Sequence, residues 1–153
     1  MITALTAMLV SFGCPYARAE SLASDVAAVV ATERPIFGRD RSRERTARLL
    51  AVWAWHESSG RADAIGDGGR ACGVMQLHDV ARQGTPCAEI LRDRRLGLRL
   101  GLRWIARSVE VCRGNVTRGL AAYASGSCYD SGPVERLVRN RMQRARVTAA
   151  DVR

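Results

Sequence analysis

The helical pattern of this chain breaks in one place, from Ala62 to Gly73, and that break limits the fold more than any other feature. Gly66-Asp67-Gly68-Gly69 is a strong turn signal. Ala64-Ile65 before it and Arg70 to Gly73 after it read as the short arms of a small hairpin. Both sides of the break read as helix. The expected fold class is therefore mainly α (α+β), several helices around one small β element. At 153 residues the chain suits one compact domain and is too short for two ordinary ones.

Periodicity places the helices. Leu22 to Glu33 is rich in alanine and valine and reads as a helix that Pro35 ends. Arg39, Arg41, Arg43, Arg45 and Arg48 lead into a long helix finishing at Glu57 and Gly60. Val74 to Gln83 also reads as helical, interrupted by Gly84-Thr85-Pro86. The clearest helix is Arg94 to Cys112. Leu98, Leu102, Ile105, Val109 and Cys112 keep one face, and Arg95, Arg99, Arg103 and Arg107 run along another as a solvated stripe. Arg113-Gly114-Asn115 stops it. A shorter helix covers Thr117 to Ala124. Pro133 starts a last one, with Val134, Leu137, Val138, Met142 and Ala145 on its buried side.

Hydrophobic content of 47% and charged content of 25% are those of a globular protein. No stretch is long enough to span a bilayer in the mature form. The formal net charge is +9, and all 24 basic residues are arginine. Such a surface favours anionic polymers, either nucleic acid or a carboxylate-bearing cell wall.

The first residues point to export. Ile2 to Phe12 is largely apolar, and Ala17-Arg18-Ala19 has the small-x-small form of a signal-peptidase site. No basic residue precedes the apolar run, so an N-terminal core helix is the alternative reading. Residues 1–19 are expected to be a signal peptide and residues 20–153 a single domain, periplasmic or extracellular. Cleavage after Ala19 removes Cys14 and leaves Cys72, Cys87, Cys112 and Cys128, an even count suited to two bridges. Three connectivities are possible. Cys72–Cys87 and Cys112–Cys128 are favoured because each closes a short local loop. A bridge across about 15 residues contributes about 3 kcal/mol in the chain-entropy model.

Glu57 is the residue with the most pointed chemistry. Leu50, Trp53, Ala54 and Glu57 follow the i, i+3, i+4, i+7 spacing of one helix face. The carboxylate thus shares a face that large apolar side chains mark for burial, at a helix C-terminus. Both circumstances disfavour its charged form. A protonated carboxyl near neutral pH is what general-acid cleavage of a glycosidic bond needs. An outward-turned last-turn glutamate is the plainer alternative.

Three ordered blocks resemble a known family. Glu57-Ser58-Ser59-Gly60 followed by Ala64-Ile65-Gly66-Asp67-Gly68-Gly69-Arg70-Ala71-Cys72-Gly73-Val74-Met75-Gln76-Leu77 resembles the signature of the lytic transglycosylase domain, which has a lysozyme-like fold. Gly97-Leu98-Arg99-Leu100-Gly101-Leu102-Arg103-Trp104-Ile105 resembles that family's Asn-Ile-x-x-Gly-x-x-Tyr-Leu helix. Leu120-Ala121-Ala122-Tyr123-Ala124-Ser125-Gly126 resembles its Ala-Tyr-Asn-Ala-Gly motif. Together they span Leu49 to about Gly126, more than half the chain.

The resemblance implies an enzyme that cleaves peptidoglycan glycan strands, with Glu57 as the single catalytic acid/base and the small hairpin flanking its groove. Glu57 would protonate the oxygen linking N-acetylmuramic acid to N-acetylglucosamine. It would then take the proton of the muramic 6-hydroxyl as that group closes a 1,6-anhydro ring. One protein carboxylate suffices, unlike paired-carboxylate glycosidases. Ser58 would hydrogen-bond the acid or the substrate. Gly73 would let the main chain approach the sugar, Met75 and Gln76 would floor and bind the subsites, and Tyr123 would point its hydroxyl toward the acid. Each has a structural alternative, namely backbone capping for Ser58, a turn for Gly73, and core packing for Met75 and Tyr123. The chain departs from the pattern at Ala124 and Gly97, each standing where the family usually has asparagine, with Ser125 as a compensating hydroxyl.

Other readings remain open. Asp63, Asp67 or Asp130 as a water-activating partner would make the protein a hydrolase of goose-lysozyme type. A glycan-binding module with little turnover is another. Nucleic acid is not an expected partner, because arginine is dispersed over every helix and aromatic content is only 5%. No metal or other cofactor is expected. His56-Glu57 lacks a second histidine four residues on, and no Cys-x-x-Cys pair exists. His56 reads as a helix-surface residue, and the protein as a monomer.

Overall fold

A computed structural model describes residues 1–38, 42–129 and 132–148. Among them are eight α-helices and one two-stranded sheet, so the mainly helical class holds. The helices are α1 (Ile2–Ser11), α2 (Tyr16–Thr32), α3 (Ser42–Ser58), α4 (Asp79–Arg82), α5 (Cys87–Arg92), α6 (Arg94–Val111), α7 (Val116–Ser125) and α8 (Pro133–Ala145). Strands β1 (Ile65–Gly66) and β2 (Ala71–Cys72) pair antiparallel, Ile65 opposite Cys72 and Gly66 opposite Ala71. A short 3-10 turn over Asp67–Gly69 joins them, with Asp67, Gly68 and Gly69 all in the left-handed region. That geometry is why the turn is glycine-rich.

α3 is the central element. Leu49, Leu50, Val52, Trp53 and Ala54 are completely buried, because α1, α2, α6 and α8 all pack on it. Each large apolar side chain removed from water in this way contributes about 1.5–3 kcal/mol. The predicted face of α6 is buried from Leu98 to Cys112. Its ends are set locally. The Asp93 carboxylate accepts from the Leu96 amide at 3.1 Å, and Asn115 caps α7 through the Arg118 amide at 3.0 Å.

Three expectations need correction and one needs extension. First, Val74 to Gln83 is not one helix, since only Asp79–Arg82 is helical. Cys72 and Leu77 instead exchange backbone hydrogen bonds at 3.2 and 2.9 Å, and Gln76 adopts a left-handed conformation. The hairpin strand thus folds back on itself before α4.

Second, the arginine stripe of α6 is solvated as expected, with Arg95, Arg103 and Arg107 exposed, but its arginines are also engaged by acids of α2. Asp25 on α2 holds Arg94 and Arg95 at 2.5 and 2.7 Å, and Glu33 at the end of α2 holds Arg99 and Arg103 at 3.3 and 2.9 Å. Third, Leu137 on α8 is 37% exposed rather than part of the buried side. Arg141 occupies the buried stripe instead, between Val138 and Ala145.

Fourth, only Cys112–Cys128 is bonded, with Cα atoms 5.6 Å apart. Cys72 and Cys87 are thiols in hydrogen-bond contact with each other. The Cys72 Sγ is also turned toward the Leu77 carbonyl at 3.7 Å by the fold-back of its strand.

The segment read as a leader forms α1 and the start of α2. Leu5, Leu9 and Cys14 lie in the core, and Ala17-Arg18-Ala19 sits in the first turn of α2 with Ala19 buried. No helix among the described residues is long and apolar enough to cross a membrane.

Candidate functional site

Glu57 occupies the last turn of α3, where the buried face meets the surface. Its side chain is 21% exposed. The carboxylate stands between two cavities. One of about 390 Å³ is bounded by Glu57, Asp67, Gln76, His78, Tyr123 and Arg141. The other, about 510 Å³, is bounded by Arg18, Glu57, Ser58, Arg61, Ile65 and Gln76. A third of about 410 Å³ continues past Tyr123 to Val80, Trp104 and Gly126. Shared lining residues, Gln76 in all three, set these cavities side by side as a groove. At the cavity beside Glu57 the hairpin lies on one side and the end of α7 with the middle of α8 on the other.

Arg141 is the residue that sequence reasoning missed. Its Nη1 donates to Glu57 Oε1 at 2.5 Å, and its guanidinium carbon lies 4.6 Å from the centre of the Trp53 ring. The arginine side chain is only 10% exposed. The groove carboxylate is thus ion-paired in the free protein, whereas desolvation and the helix terminus had been the only influences visible in the sequence. A pair this enclosed is costly to break one-sidedly, about 3–5 kcal/mol, because the remaining charge is stranded. The signal was present in the spacing. Val134, Val138, Arg141 and Ala145 share one face of α8, so an arginine stands in an apolar stripe.

Ser58, Gln76 and Tyr123 line the cavities beside Glu57, but most of their polar groups are used within the protein. Ser58 lies within reach of two backbone carbonyls, Val74 at 2.9 Å and Ala54 at 3.1 Å. The Tyr123 hydroxyl donates to the Met75 carbonyl at 2.6 Å and not to the acid. Burial, then the nearby Glu57 charge, hold the Tyr123 phenol well above its usual range, so it remains a donor. Trp53 meets the Tyr123 ring edge-on, with centroids 5.9 Å apart.

Gln76 spends its amide nitrogen on the carbonyls of Gly73 and Ala64, at 2.9 and 3.2 Å. Its Oε1 lies so close to Gly66 that a Cβ there would meet it at 2.2 Å. Met75 is fully buried and packs over Gly101, so its side chain belongs to the core and not to a sugar floor. Gly73 has φ +77°, and a Cβ on it would meet Ile90 Cγ2 at 2.4 Å. Its glycine serves the packing of α5.

Gly97 has a similar explanation. A Cβ there would stand 3.3 Å from both Val74 and Ile90, a tight fit that favours glycine. Ala124 lines the groove, and Ser125 bonds back to the Ala121 carbonyl at 3.0 Å.

The second carboxylates differ in placement. Asp67 lines the same cavity as Glu57 and pairs with His78 at 2.9 Å. Asp63 is 82% exposed beside Arg61, and Asp130 lies outside the described residues. His56 is exposed on α3, with Nε2 3.3 Å from Arg144. Burial and the charges of Arg141 and Arg144 lower its pKa. No cluster of three or more histidine, cysteine or acidic side chains able to hold a metal occurs among the described residues. No protein-family model matches the chain, and no curated protein matches it.

Proposed function

We propose that the chain is a lytic transglycosylase with a lysozyme-like fold, cleaving the bond between N-acetylmuramic acid and N-acetylglucosamine in peptidoglycan. The observation that supports this most directly is the position of Glu57, a carboxyl at the wall of a long groove, between a small hairpin and a helical pair. The first and third of the sequence blocks that resemble the family line the cavities beside it, through Ser58, Asp67, Gln76, Tyr123 and Ala124. Glu57 is the acid that protonates the leaving oxygen and the base that then receives the 6-hydroxyl proton. Its charge state alternates within one catalytic cycle, so no second carboxylate is needed.

Asp67 supports a second reading. It lines the cavity that holds Glu57, so a water held between the two would give hydrolysis, as in goose-type lysozymes. The Arg141 ion pair supports a third, a glycan-binding module in which Glu57 is a structural anion. The single bridge, Cys112–Cys128, is compatible with an oxidising compartment outside the cytoplasm.

Mass spectrometry of the sugars released from peptidoglycan separates these readings. The transglycosylase yields 1,6-anhydromuramyl ends, and Glu57→Gln stops their release while the fold persists. Ordinary reducing ends favour the hydrolase. Retained binding with no release favours the module.

A further inference from the structure

We infer that Arg141 selects glycans that carry a carboxylate, because it can release Glu57 only by taking another anion in its place. The inference rests on the reading of Glu57 as the acid. An acid must be uncharged when it begins to act. In the structure Glu57 is instead the counter-ion of Arg141, at 2.5 Å. The Trp53 face beneath the guanidinium holds that cation in place without neutralising it.

The other described acids nearby face other partners. Asp67, the other carboxylate of the cavity, pairs with His78 at 2.9 Å, and Glu135 on the same helix pairs with Arg139. His56, which faces Arg141 from α3, has its pKa lowered and supplies no anion. Opening the pair with nothing in exchange strands a nearly buried cation.

Arg141 borders the cavity beside Glu57, so a group on a bound strand can reach it. A carboxylate matches the guanidinium fork in shape and charge. Sugar hydroxyls and acetamido groups are neutral and do not. A carboxylate-bearing strand therefore exchanges with Glu57, which takes up a proton from solvent and becomes the acid. A neutral strand has to break the pair unaided. Two sources offer this chemistry, the free lactyl carboxylate of a peptide-free muramic residue and the carboxylates of an attached stem peptide.

Binding by wild type and by Glu57→Gln tests the exchange. Intrinsic tryptophan fluorescence follows titration with neutral chito-oligosaccharide, peptide-free muramyl strands and peptide-bearing strands. Glu57→Gln leaves Arg141 without its partner. It should bind at least one carboxylate-bearing strand about tenfold more tightly than wild type does, with no gain for the neutral sugar. The strand that gains identifies the source.

Adding Arg141→Gln should erase the gain. If that double variant fails to fold, Arg141→Lys in the same background keeps the charge, loses the fork and should reduce the gain. Equal gains for neutral and charged ligands, or a gain that survives loss of the guanidinium, overturn the inference. Wild type that cleaves none of these glycans, with the gain intact, leaves carboxylate selection standing and removes the enzymatic reading instead.

Discussion

The hydroxyl of Ser58 reaches the carbonyl oxygen of Val74 across 2.9 Å, tying the helix that carries Glu57 to the return of the hairpin. One side chain therefore links the helix of the candidate acid to the hairpin wall of the groove. Ser58→Ala removes that link and should lower stability by about 0.5–1.5 kcal/mol. Urea denaturation measures the loss. An unchanged midpoint would show that the contact contributes nothing net.

Gly73 and Gly68 form a matched pair for substitution. Both have positive φ, but a Cβ at Gly68 meets nothing within 4 Å, whereas one at Gly73 runs into Ile90. Gly68→Ala should cost about 1 kcal/mol, the backbone strain alone. Gly73→Ala should cost a further 1–3 kcal/mol or so for the clash. Equal thermal shifts in the two variants would refute the packing explanation of Gly73.

Thiol counting checks the bridge pattern. Alkylation of denatured, unreduced protein should add three labels, at Cys14, Cys72 and Cys87. One label would mean that Cys72 and Cys87 are also bridged. Reducing Cys112–Cys128, which spans 16 residues, should lower stability by about 3 kcal/mol.

The Cys72 thiol predicts an alkaline limit. Burial first, then its hydrogen bond with Cys87, push it up from 9.0 to about 11. The folded state holds this proton more tightly than the unfolded chain. The stabilisation is thus complete below about pH 9 and declines as pH rises toward 11. Cys72→Ala should flatten that decline in a pH series of melting temperatures. A slope equal to that of wild type would assign the alkaline loss to other groups, such as Tyr123.

The N-terminal helix predicts its own importance. Deleting residues 1–14 removes Leu5 and Leu9 from the core, each deletion of a buried leucine costing about 2–5 kcal/mol. The truncated protein should melt well below the full chain. Equal stability would instead favour a removable leader.

Much of this molecule was legible in its sequence, for physical reasons that differ by element. α6 follows an unbroken 3.6-residue repeat, α8 follows one that Arg141 interrupts, and glycines marked the hairpin because its turn demands positive φ. The partial burial of Glu57 was legible because its position on the α3 face determines its surroundings. Residues Val74 to Leu77 were not, since an apolar run looks alike whether helical or folded back, and only the Cys72–Leu77 pairing decides. The ion pair of Glu57 was hidden by sequence distance. Its partner lies 84 residues away, on a helix whose arginines resemble one another until packing sorts them.

The acids of α2 have a consequence for how the whole protein meets its surroundings. Asp25 and Glu33 between them engage four arginines of α6, so that flank is a zipper closed from within rather than an open hand for polyanions. Raising the salt concentration should slacken this seam and leave the Cys112–Cys128 staple untouched.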